Sequence, residues 1–394
     1  MTPTPHSLSK TAAITFVVLM GVVSLLADLT YEGARSITGP FLALLGASGA
    51  VVGVVAGVGE FIGYGLRLLS GYITDRTGRY WTITLAGYAV NLLAVPLLAL
   101  AGSWELAAVL IVAERMGKAI RAPARDAMLS HATSQVGHGW GFGLHEALDQ
   151  IGAVLGPLLM AAILAFRESY RMGFAVLLIP ALLALTLLLI ARSRFPHPRD
   201  FELAASTRLE AQRFPRAFWI YLAAVALVAL GYADYPLIAY HFKQTGLAPD
   251  AWIPIVYAVA MGVDALAALV FGRLFDRFGL PVLAGAVLLA AFFAPLAFLG
   301  SFEMAVAGMA LWGVGMGAQE SVMRAAIPAM VPPERRGTAY GFLNAGFGLF
   351  WFVGSAAMGL LYDVSLTALV VFSVAAQLAA VPVLLWIGKR AVEG

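Results

Sequence analysis

The chain has 394 residues, 61% of them hydrophobic and only 12% charged, with a formal net charge of +3. A soluble protein of this length carries about twice that share of charge and shows amphipathic stripes, so that class is excluded. Cysteine is absent, which removes disulfides and thiolate metal sites. The basic residues sit mostly in loops, so the charge balance gives no reason to expect nucleic acid.

The first ten residues are polar, with a single lysine at Lys10. They lack the charged start, short apolar core and small-residue cleavage site of a removable signal, so the first apolar run is expected to stay as a helix. Runs of about 20 apolar residues then recur, each long enough to cross a hydrocarbon core. They place spanning helices near 11–35, 48–72, 80–102, 105–128, 140–166 and 171–192. A second set follows near 217–240, 251–275, 281–300, 302–326, 338–362 and 366–388. The expected fold is an all-α polytopic membrane protein with twelve transmembrane helices in two pseudo-symmetric six-helix bundles. The bundles cover 1–192 and 217–394. The polar stretch 193–216 holds Pro196, Pro198 and Pro215 and reads as a cytoplasmic linker, with a short surface helix around 200–212.

Lysine and arginine set the orientation. With the N-terminus inside, fifteen basic residues fall in inner loops and tails, against Arg167, Arg171 and Lys243 outside. Both termini are therefore expected in the cytoplasm, at an inner membrane. The halves also repeat: Gly71-Tyr-Ile-Thr-Asp75-Arg76-Thr-Gly78 returns 201 residues later as Gly272-Arg-Leu-Phe-Asp276-Arg277-Phe-Gly279. Phe142-Gly143-Leu144 returns as Tyr340-Gly341-Phe342. Parallel six-helix repeats with a site between them are a known transporter construction.

Gly71 to Arg79 resembles motif A of the major facilitator superfamily, a Gly-x-x-x-Asp-Arg-x-Gly-Arg pattern between helices 2 and 3. Gly143, Gly152, Gly156 and Pro157 in helix 5 resemble motif C of the superfamily's proton-coupled antiporters, with Met160-Ala161 where two glycines usually close it. Arg115 sits where the motif B arginine falls, but Lys118-Ala119 replaces the usual Gln-Gly. The resemblance implies a cytoplasmic gate at Gly71, Asp75, Arg76, Gly78, Arg79 and Arg125, echoed by Asp276 and Arg277. It also implies a hinge and seal at the helix 5 glycines, where that helix meets the opposite half. Small residues at these spacings equally serve close helix packing.

The resemblance also implies that helices 3, 6, 9 and 12 face lipid. Helices 6 and 9 hold no ionisable interior residue, and helices 3 and 12 offer only Asn91 and Gln377. That partition is what the cost of charge in hydrocarbon requires. Inside helix 4, Glu114, Lys118, Arg121 and Arg125 share one face, with Arg115 beside them. Helix 1 carries Asp28, Glu32 and Arg35 on one stripe, with Tyr31 alongside. Helix 2 carries Glu60, Tyr64 and Arg67; helix 5 carries His145, Glu146, Asp149 and Gln150. The second half supplies Tyr232, Asp234, Asp264, Gln319 and Glu320. These groups read either as a proton-titrating substrate cavity or as internal ion pairs that hold helices in register. At about 1.5 Å per residue, Lys118 lies level with Asp149 and Arg121 with Glu146, so two helix 4–helix 5 ion pairs are expected.

The expected function is secondary active transport of a small organic solute by alternating access, proton-coupled and outward. Uptake by symport or facilitation is one alternative; a non-transporting receptor or enzyme on the same fold is another. No phosphate loop, metal cluster or nucleophile triad is present, so no cofactor is expected. The expected partners are the solute, protons and the bilayer, with the protein a monomer.

Overall fold

The computed structural model describes residues 10–133, 138–197, 214–331 and 336–393, apart from some side chains, among them those of Asp75, His138 and Arg324. The linker helix expected around 200–212 lies outside the described residues. All regular structure among them is helical. In a hydrocarbon solvent this follows from the backbone, because a helix satisfies its own N–H and C=O groups while an open strand cannot.

The first six spans are α1 (Lys10–Leu44), α2 (Gly49–Thr77), α3 (Tyr80–Leu97), α4 (Trp104–Thr133), α5 (His138–Arg167) and α6 (Tyr170–Arg194). The second six are α7 (Arg216–Thr245), α8 (Trp252–Phe278), α9 (Pro281–Leu299), α10 (Phe302–Ala325), α11 (Arg336–Val364) and α12 (Leu366–Glu393). All but α4 and α10 contain stretches long and apolar enough to cross a bilayer by composition alone. The chain is thus an integral, multi-pass membrane protein. Its α4 carries the densest charge, from Glu114 to Asp126.

Span α7 is broken. Its two segments, Arg216–Gly231 and Tyr235–Thr245, are joined through extended residues, and Asp234 caps the second by accepting from Tyr235 N at 2.9 Å. Pro236 follows in the first turn, where a missing N–H costs nothing.

Two compact units emerge. One comprises Met1–Ala34 with Gly65–Arg208, the other Arg35–Tyr64 with Leu209–Gly394. The α1–α2 loop and the helix ends flanking it therefore belong with the second repeat. The core of the first unit gathers Phe16, Met20, Tyr88, Leu92, Leu129 and Leu188. That of the second gathers Phe218, Tyr221, Leu283, Val322, Ile327 and Leu384.

Outward faces are apolar, as lipid contact demands: Ile179, Leu182 and Leu183 on α6, and Val371, Leu378 and Leu385 on α12 are exposed. Asn91 and Gln377 are instead fully buried. Asn91 donates to Glu114 Oε1 at 2.7 Å and Gln377 to Gly231 O at 3.2 Å, so each turns its amide away from lipid.

The repeat seen in sequence has a conformational counterpart. Gly78 and Gly279 have φ values of 63° and 66°, the left-handed region that a side chain resists. Each ends its motif just after the second span of its half.

Candidate functional site

Close approach of α3 and α4 positions the basic face of α4. A Cβ on Gly117 would lie 2.3 Å from Asn91 N, and one on Gly87 2.5 Å from Arg121 N, so the two backbones touch. The same holds for α5 and α1. A Cβ on Gly152 would lie 2.2 Å from Leu25 O, and one on Gly156 2.4 Å from Leu29 O. Gly143 has open space around it. Gly152 and Gly156 thus pack α5 onto α1 inside the first unit.

This packing brings α1, α4 and α5 together around a cluster of charge. Arg121 is buried to 1% exposure, with its guanidinium 4.2 Å above the Tyr88 ring and Nη2 3.8 Å from Asp28 Oδ1. That separation is an ion pair without a hydrogen bond. Lys118 donates to the Tyr31 hydroxyl, and its ammonium lies 3.6 Å from that ring's centroid. Glu114 is buried beside Arg115, whose Nε lies 3.4 Å away. Arg125 bonds Asp126 at 2.8 Å and Ser24 at 3.3 Å, and Ser24 also bonds His145 at 2.9 Å. Glu32 is buried and Glu146 exposed.

Lys118 therefore bonds to α1, and Arg121 lies between Asp28 of α1 and the Tyr88 ring of α3. Depth arithmetic pairs them with α5, but it contains no information about rotation around a helix axis. Asp149, three residues before Gly152, shares the α5 face that presses on α1 and is an electrostatic neighbour of Asp28 and Tyr31.

A second polar group lies within the other unit. Arg35 Nη2 meets Asp234 Oδ1 at 2.5 Å and Glu60 Oε1 at 3.7 Å. Asp234 thus has two tasks, capping the broken α7 and holding Arg35. The Asp-Tyr-Pro run at 234–236 signals that break in the sequence, and reading α7 as one continuous span missed it. Nearby, Tyr235 stacks on Tyr257 at 4.0 Å, and Tyr232 lies 5.6 Å from both Trp312 and Trp351. The Tyr235 hydroxyl donates to Ile253 O and Tyr232 to Trp312 O, so this pile is tied to backbone. Asp264 and Gln319 are buried, the latter donating to Gly315 O at 3.0 Å, while Glu320 is exposed.

The motif A stretch closes α2. Arg76 donates to Tyr72 at 3.0 Å; Arg79 is exposed, as are Asp276 and Arg277 in the second copy. Gly71 lies against Pro123 of α4. The Asp75 side chain lies outside the description. Among the described residues no group of three or more His, Asp or Glu side chains could hold a metal ion.

A sequence profile of the Major Facilitator Superfamily matches residues 12–299 and 235–393. An uncharacterized protein of Mycobacterium tuberculosis (strain ATCC 25618 / H37Rv) is 45% identical over 371 residues, covering 93% of this chain and 91% of the relative. An uncharacterized MFS-type transporter of Methanocaldococcus jannaschii is 25% identical over 357 residues, 89% of either chain. Among solved structures, the peptide transporter POT in complex with sulfate superposes with a TM-score of 0.77 at 13% identity, covering 98% of this chain and 99% of that one. The nucleoside transporter NupG gives 0.70 at 13% identity, covering 96% and 98%. These two likenesses establish the fold.

Proposed function

Because the chain belongs to the Major Facilitator Superfamily, and is thereby a transporter rather than an enzyme, we propose that it exports a small organic solute in exchange for protons. The observation that carries this reading is the buried cluster of α1, α4 and α5, where Asp28, Arg121 and Lys118 meet inside spans that hydrocarbon surrounds. Ionisable groups at that depth cost several kcal/mol unless they work or pair, and they mark ion and substrate pathways. The motif C resemblance in α5 favours export by exchange. Lys and Arg in the loops favour cytoplasmic termini at an inner membrane.

Proteoliposomes test the coupling. With Asp149→Asn or Glu146→Gln, transport driven by a pH gradient is expected to vanish, while solute-for-solute exchange at saturating concentration persists. If both variants still concentrate solute against its gradient, coupling moves to Asp28 or Glu32. Accumulation driven inward would instead favour symport.

Asp75 is expected to act on turnover. By resemblance it belongs to the cytoplasmic gate, away from the midplane. Asp75→Asn should leave ligand affinity within a few fold while slowing transport strongly, with a smaller effect for Asp276→Asn. A collapse of affinity, with turnover falling in proportion, would contradict the gate assignment.

A further inference from the structure

Arg121 makes no hydrogen bond with any of its three guanidinium nitrogens, although it is 99% buried. Tyr88 offers it a π face and Asp28 a charge at 3.8 Å, and neither contact fills a donor. A buried guanidinium with empty donors is costly, and its planar fork fits a two-oxygen anion in a bidentate grip. On the α5 side, Asp149 has a buried carboxylate oxygen, Oδ1, that likewise accepts no hydrogen bond. Both residues border Asp28 in the first unit. The pair therefore presents unfilled donors and an unfilled acceptor of opposite charge in one neighbourhood.

We propose that this is the recognition site for a zwitterionic solute, whose carboxylate docks on Arg121 and whose ammonium docks on Asp149. The assignment rests on the transporter reading above and supplies its substrate class. It also supplies the sign of coupling. A proton and an ammonium group compete for the same Asp149 oxygens, so solute and proton exclude one another, which is the requirement for exchange. A plain anion on Arg121 would bind together with a proton and couple as a symporter.

The pH dependence belongs to a defined setting. Asp149 faces Asp28 and Tyr31 on α1, Arg125 on α4 and His145 on its own helix. His145 is the imidazole beside Asp149 on the same helix, so its contribution to any pH response has to be separated experimentally.

The test is thermal unfolding of the purified full chain in detergent, at fixed ionic strength and without a gradient. The probes are glycine, 4-aminobutyrate and 6-aminohexanoate, which space the two charges differently, with acetate and methylammonium as the halves. At least one zwitterion should raise the melting temperature saturably, at a half-saturating concentration roughly tenfold or more below that of either half. That concentration should rise as pH falls, and should still do so in His145→Gln. Arg121→Lys keeps the charge but loses the fork, and should weaken the zwitterion about tenfold. Asp149→Asn should make the zwitterion no better than acetate.

The site is wrong if no zwitterion outperforms its halves, if the response survives in both variants, or if its pH dependence disappears in His145→Gln. Should Arg121→Lys not fold, the wild-type comparison of zwitterion with halves decides alone. These outcomes involve no flux. A protein that exchanges protons in liposomes but ignores zwitterions refutes this site and leaves the transporter reading standing.

Discussion

Asp28→Leu is expected to destabilise the protein by about 3–5 kcal/mol, because it strands the buried Arg121. Arg121 sits at 1% exposure, and Asp28 is the carboxylate found within ion-pair reach of it. Without that charge, the Tyr88 face alone stabilises the guanidinium by about 2 kcal/mol, less than the cost of an uncompensated buried charge. Arg121→Met should cost less, because Lys118 remains an electrostatic partner of Asp28. The double change Asp28→Leu with Arg121→Met removes both buried charges and should recover most of the loss. The melting temperatures of the four proteins form a double-mutant cycle. If the single losses simply add, the two residues are not coupled and the cluster is misassigned. Recovery of stability without recovery of transport would show that the charges serve function.

Gly156→Leu should remove most folded protein. A Cβ there would lie 2.4 Å from Leu29 O and 2.7 Å from Gly33 N, and neither backbone atom can turn aside as a side chain would. Overpacking a core costs about 1–3 kcal/mol when side chains can adjust. Here α5 must move off α1, dragging Asp149 away from Asp28, so the loss should exceed that range. Gly143→Leu is the internal control, since no atom lies within 4 Å of its would-be Cβ. Size-exclusion profiles and melting temperatures should separate the two variants sharply. Equal behaviour would mean that the helix 5 glycines do not set the α1–α5 contact.

Much of this arrangement is legible in the chain. Apolar runs locate the spans because length and hydropathy are local properties. The empty interiors of α6 and α9 mark lipid-facing helices because a charge there has no affordable partner. Even Gly78 and Gly279 announce themselves, since each closes a repeated motif at a position where φ is positive. Partners are harder to read. Lys118 and Arg121 share a depth with Asp149 and Glu146, yet their contacts with Tyr31 and Asp28 depend on how α4 is rotated. That rotation is set where Gly117 of α4 and Gly87 of α3 let the two backbones meet. The Asp28–Glu32–Arg35 stripe reads as a single face of one helix. Its last member instead pairs with Asp234, across the break in α7 that lets an aspartate cap a helix and hold an arginine at once. Long-range pairings of this kind come from tertiary packing, which no local pattern encodes.

Proton movement on solute addition tests the central claim most directly. Everted membrane vesicles carrying the protein are acidified inside, with a pH-sensitive dye reporting the gradient. A solute that raises the melting temperature of the purified protein is then added outside. Export by exchange predicts that the solute enters as protons leave, so the gradient partly collapses, in vesicles with the wild-type chain but not with Asp149→Asn. An unchanged gradient despite measured solute entry, or a gradient that deepens as solute enters, would contradict the account.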